Sequence, residues 1–67
     1  MTVRIQWRVI SRGHARSLEG RFTLEKRPNG KWYVNDSKYD RGFGGMVNEC
    51  KRWAKDIVEE ELDDLKQ

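Results

Sequence analysis

From position 2 to position 10 large apolar residues alternate with polar ones. Val3, Ile5, Trp7 and Val9 fall on one side of an extended chain, and Arg4, Gln6 and Arg8 on the other. The pattern predicts a strand over residues 2–10 with one dry face and one wet face. Ser11 to Arg16, with Gly13 and His14, breaks the alternation and reads as a connection between antiparallel strands. The alternation resumes over residues 17–26. There Leu18, Gly20, Phe22 and Leu24 share one side and Glu19, Arg21, Thr23 and Glu25 the other, and Gly20 points to a bulge or a close approach.

Arg27-Pro28-Asn29-Gly30 is a strong turn signal: Pro28 presets its own φ, Asn29 suits the next position and Gly30 accepts positive φ, as a type I turn with a bulge requires. A third strand is predicted over residues 31–35. It places Trp32 and Val34 inward and Tyr33 outward, or the reverse if the turn shifts the register by one. Residues 36–45, with three glycines, read as a loop or a short irregular strand around Lys38 to Phe43.

At Met46 the period becomes helical. Val47, Cys50, Trp53, Ala54, Ile57, Val58, Leu62 and Leu65 form one stripe, with Arg52, Asp56, Glu59 and Asp63 opposite, which predicts a helix over residues 46–65. Glu61 interrupts the stripe, so the last turns are expected to overrun the sheet, with their carboxylates in water. The fold class that follows is α+β: one small domain over residues 1–67, with a two- or three-stranded antiparallel sheet backed on one face by a long amphipathic helix.

A chain of 67 residues buries only roughly 60% of its unfolded surface and has room for one core, stable by about 3 to 5 kcal/mol. A deep substrate pocket would remove apolar area from that core. The expectation is a protein that is not an enzyme and takes no small-molecule substrate and no cofactor. Trp7, Trp32, Trp53, Phe22, Phe43, Tyr33 and Tyr39 supply large apolar surfaces in place of aliphatic ones. Cys50 is the only cysteine, no apolar run resembles a secretory signal at Met1-Thr2-Val3-Arg4, and no stretch is long and apolar enough to span a membrane. These features lead to the expectation of a soluble, cytoplasmic protein.

The net charge of +3 is unevenly spread. Residues 1–44 hold ten Lys or Arg against four Asp or Glu, a balance of +6, and residues 45–67 hold four against seven, a balance of −3. An anionic partner for the first part is the functional reading of that split, and a solvated surface is the ordinary one.

The wet face of the predicted sheet carries Arg4, Gln6 and Arg8, then Arg21 and Thr23, with Tyr33 from the third strand; Lys26, Arg27 and Lys31 extend it around the hairpin tip. Guanidinium groups pair with phosphates or guanine edges, Gln addresses adenine, and a two-stranded ribbon fits the DNA major groove. Gly42-Phe43-Gly44-Gly45 lacks the Lys-Ser/Thr of a phosphate-binding loop and reads as the turn into the helix, with Phe43 against its first turn. Cys50 sits in the apolar stripe, and His14 has nothing to place it nearby, so no catalytic pair is expected. One His and one Cys do not make a zinc site.

From Gly20 onward the order of features resembles the arm-type (AP2-like) DNA-binding domains of tyrosine recombinases of phages and integrative elements. The residues that carry it are Phe22-Thr23-Leu24-Glu25-Lys26-Arg27-Pro28-Asn29-Gly30-Lys31-Trp32-Tyr33-Val34, then Tyr39 to Phe43, then Asn48-Glu49-Cys50-Lys51-Arg52-Trp53-Ala54-Lys55. The resemblance implies a three-stranded sheet, backed by a helix and inserted in the major groove, with contacts from Arg21, Thr23, Lys31 and Tyr33. The strand over residues 2–10 and the absence of a catalytic domain after Gln67 depart from that family.

Two function classes follow. One is a non-catalytic nucleic-acid-binding accessory or regulatory protein acting on duplex DNA. The other is a small phage-type protein that binds a host protein, or its own twin as a homodimer, through a sheet edge or through the acidic helix end Glu59-Glu60-Glu61-Leu62-Asp63-Asp64.

Overall fold

The computed structural model describes residues 4–66. Five strands precede one helix: β1 (Trp7–Ser11), β2 (His14–Ser17), β3 (Phe22–Lys26), β4 (Trp32–Asp36), β5 (Arg41–Gly45) and α1 (Val47–Lys66). Each strand pairs antiparallel with the next, giving a sheet in the order β1-β2-β3-β4-β5. The α+β class follows the sequence pattern, but the sheet has five strands where two or three were expected.

The difference has two local causes. Residues 11–16, expected as a connection, hold only the tight turn Arg12-Gly13, with Gly13 at φ 76°. His14-Ala15-Arg16-Ser17 then pairs as β2. It carries a single small apolar residue, so hydrophobic alternation does not announce it. Its inward positions are nevertheless filled: Ala15 packs on the core, and the buried Ser17 Oγ accepts the Phe22 N–H at 3.0 Å. Residues 17–26 therefore form two elements, reversing at Leu18 to Arg21 with Gly20 at φ 83°, a turn rather than a bulge. The first strand begins at Trp7, and Thr2 and Val3 lie outside the described residues.

The second cause is glycine content. Arg41-Gly42-Phe43-Gly44-Gly45 has one apolar side chain, yet it pairs with β4 along its full length. Gly44 and Gly45 belong to this strand and not to the helix entry. The β3–β4 hairpin matches its turn signal: the Gly30 N–H bonds the Arg27 carbonyl at 3.0 Å with Gly30 at φ 84°, and the Arg27 N–H bonds the Lys31 carbonyl at 2.7 Å. Trp32 and Val34 take the inward register, and Tyr33 faces out.

The core is Phe22, Leu24 and Val34 from the sheet against Cys50, Ala54 and Ile57 from α1. Phe43 stacks on Trp53 with ring centroids 6.0 Å apart and planes 13° apart, so it packs beyond the first helical turn. The helix begins with half of a capping box, in which Glu49 Oε1 accepts the Met46 N–H at 3.0 Å.

Twenty helical residues span about 30 Å, whereas a five-residue strand spans about 17 Å. The helix must therefore overrun the sheet, and Leu65 is 82% exposed beyond it. The helix also leaves the β1–β2 hairpin uncovered, with Val9 77% exposed. No helix among the described residues is long and apolar enough to cross a membrane.

Candidate nucleic-acid interface

Strand register sorts the side chains into two faces. Leu24, Val34 and Phe43 are cross-strand neighbours on the face that α1 covers, and the alternating positions face away from it. On this open face one row crosses the whole sheet: Arg8, Arg16, Thr23, Asn35 and Gly42 are successive partners. A second row runs His14, Glu25, Tyr33 and Gly44.

Arg8 and Arg16 stand directly opposite each other. Like charges in that position repel and weaken a sheet. Among the described residues neither guanidinium has a carboxylate within ion-pair distance. The pair is an uncompensated positive site at one side of the face.

The other side ends on Gly42 and Gly44 of β5, which carry no side chain. A side chain on Gly42 would collide with the Tyr33 ring, and one on Gly44 would lie 3.7 Å from it, so the tyrosine leans over the bare backbone of β5. The Arg27 guanidinium sits 4.8 Å from the Tyr33 ring centroid, in cation–π contact. Thr23, Glu25, Arg27, Tyr33 and Asn35 together line a shallow depression of about 270 Å³.

Of the residues that the sequence pattern singles out, Arg8, Thr23 and Tyr33 lie on the open face, and Arg27 joins them through its contact with Tyr33. Arg4 and Gln6 are exposed but precede β1; the Gln6 carbonyl accepts the Leu18 N–H at 3.0 Å. Lys26 pairs with Trp32 on the helix side of the sheet. It lines a groove between the two hairpin turns with Arg12, Gly13, Arg27 and Pro28. Lys31 lies exposed in the turn, where its N–H bonds Asn29 Oδ1 at 3.0 Å.

Arg21 is not on the open face. It precedes β3 in a bend, and its guanidinium turns toward the helix side. Nε and Nη2 donate to both oxygens of the fully buried Asp36, at 2.9 and 3.0 Å, while Nη1 and Nη2 donate to Glu61 at 2.8 and 2.6 Å. Its hydrogen bonds to Glu61 and Asp36 push its pKa further above the ordinary arginine value, and they hold both carboxyls below the usual carboxylate range. The arginine is committed to fastening α1 to the end of the sheet, which also explains why Glu61 interrupts the apolar stripe.

His14 and Cys50 lie on opposite sides of the sheet. Burial pushes the Cys50 thiol up, and its Sγ lies 3.5 Å from the Trp32 carbonyl. The open face also contains Arg16, Asn35, His14 and Glu25, which sequence patterning did not assign to it as binding residues. Alternation through a tight Arg12-Gly13 turn would have placed His14 and Arg16 there. Comparison with family models, curated proteins and solved structures finds no match to this chain.

Proposed function

We propose that the protein binds duplex nucleic acid, DNA first, through the open face of its sheet and without catalysis. The observation that carries this reading is the opposed pair Arg8 and Arg16, which repel each other unless an anion lies over them. Beside them the row continues into Thr23 and Asn35, hydrogen-bonding types suited to base edges, and Arg27 extends the charge at the hairpin tip. The succession β3, β4, β5 and α1 is the element order that the resemblance to arm-type domains implies, which supports the same reading.

Salt titration of binding to short DNA duplexes tests it. Affinity should fall steeply with salt, and replacing both Arg8 and Arg16 by Ala should flatten the slope of log K against log salt by about 2, since each phosphate contact contributes about 0.9. The double variant should fold at least as stably as the parent. An unchanged slope would remove this surface from the interface, and no binding at low salt would remove the function.

A second reading is favoured by the helix end, where the exposed Leu62 and Leu65 stand among Glu60, Asp63 and Asp64. An acidic surface with an apolar centre suits a basic protein partner. Replacing Leu65 by Lys should abolish such a contact and leave DNA binding unaffected.

A further inference from the structure

Glu25 is the one carboxylate among the described strand residues of the open face. On a phosphate-binding surface a carboxylate is unfavourable everywhere except where the ligand presents a donor. If its role were to offset the repulsion between Arg8 and Arg16, it would pair with one of them or with the nearby Arg27. Among the described residues it makes no ion pair, although His14 is its direct cross-strand partner. Its acceptor oxygens remain available. They border the depression that it shares with Thr23, Tyr33, Arg27 and Asn35, two strands from the β1 arginine.

The layout across the sheet is charge at the flank and hydrogen-bonding groups at the centre. Adjacent strands are about 4.8 Å apart, so Arg16 lies one spacing and Arg8 two spacings from β3. With β3 and β4 over the base edges of a major groove about 12 Å wide, those arginines reach the phosphates along its border. The centre of the face then meets bases, and Glu25 can only accept. In the major groove the edge that offers a donor without an adjacent acceptor is that of cytosine, through its N4 amino group.

We propose that Glu25 is a specificity-determining residue that reads a cytosine in the major groove of a DNA duplex by accepting a hydrogen bond from its N4 amino group. Asn35, diagonal to it on β4, supplies a donor and an acceptor to the neighbouring base pair. The proposal rests on the DNA-binding reading and adds to it an assignment of which group selects the sequence.

The test is selection of duplexes from a pool with a randomised centre, using the parent protein, Glu25→Gln and the double variant Arg8→Ala, Arg16→Ala. The parent should enrich duplexes with cytosine at one fixed position. Glu25→Gln adds a donor, so cytosine preference at that position should relax by roughly fivefold to tenfold while the other positions keep theirs. The double arginine variant should bind more weakly while preserving the cytosine preference. Glu25→Gln tightening binding to every duplex equally, with preferences unchanged, would overturn the proposal and leave the DNA-binding reading standing. A parent protein that binds duplexes without any cytosine preference would do the same. Failure of the parent to bind any duplex at low salt would overturn both.

Discussion

The Tyr33 ring occupies the place that a side chain on Gly42 would take. The colliding atoms are the hydroxyl end of a side chain and not backbone, so the ring can swing away while β4 and β5 stay paired. Gly42→Ala should therefore cost only about 1 kcal/mol and move the Tyr33 ring off β5. Altered Tyr33 and Arg27 side-chain NMR signals in a folded variant are the expected result; unchanged signals would show that the ring is not seated there.

Asp36 is completely buried and accepts hydrogen bonds from Arg21, Arg41 and the Lys38 N–H. Asp36→Asn removes the charge and leaves the Arg21 and Arg41 guanidiniums competing for a neutral amide. Breaking a buried pair in this way costs about 3 kcal/mol, most of the stability of a domain this size. Glu61→Gln acts on a more exposed contact and should cost about 1 kcal/mol at most. Urea midpoints for the two variants should rank in that order.

The same carboxyls set the acid limit of the fold. Both have folded-state pKa values below their unfolded ones, chiefly through the Arg21 hydrogen bonds. Their contribution is complete above the unfolded carboxylate range near pH 4 and is lost as pH falls through the lower folded values. Stability followed by denaturation should be flat with respect to these groups near neutrality and decline below about pH 4. In Glu61→Gln the decline should be shallower.

Cys50 is fully buried between α1 and the sheet, with its thiol shifted toward the protonated form. A thiol reagent should not modify it in the native protein. Labelling should appear with denaturant along the same curve as the loss of helix signal, since only opening of the core exposes it. Rapid labelling in buffer would show that α1 detaches independently.

The division into strands followed by a helix was legible because large residues keep their period: Phe22 and Leu24, Trp32 and Val34, and Cys50, Ala54 and Ile57 all face inward as their spacing indicates. β2 and β5 were hidden because Ala15 and Phe43 are their main apolar residues and the rest is polar or glycine. Register cannot be read where no large apolar residue marks the face, which is why Arg16 on β2 is not legible, whereas the outward position of Asn35 follows from Trp32 and Val34 on β4. Arg21 shows the opposite failure. Simple alternation puts it outside, but the buried Asp36, a polar residue at an inward position of β4, requires a cation beside it.

Because α1 packs on β4 and β5 and stops short of β1, the first hairpin depends on its edge pairing to β3 and on the few contacts of Trp7 and Ala15. An isolated two-stranded unit has little stability of its own in water. Amide protons of β1 and β2 should therefore exchange with solvent through a partial opening, at a lower free energy than those of β3 and β4. That hairpin also carries Arg8 and Arg16, so a bound polyanion would slow its exchange first, and the ligand would complete the cohesion of a sheet whose first two strands the helix leaves unsupported.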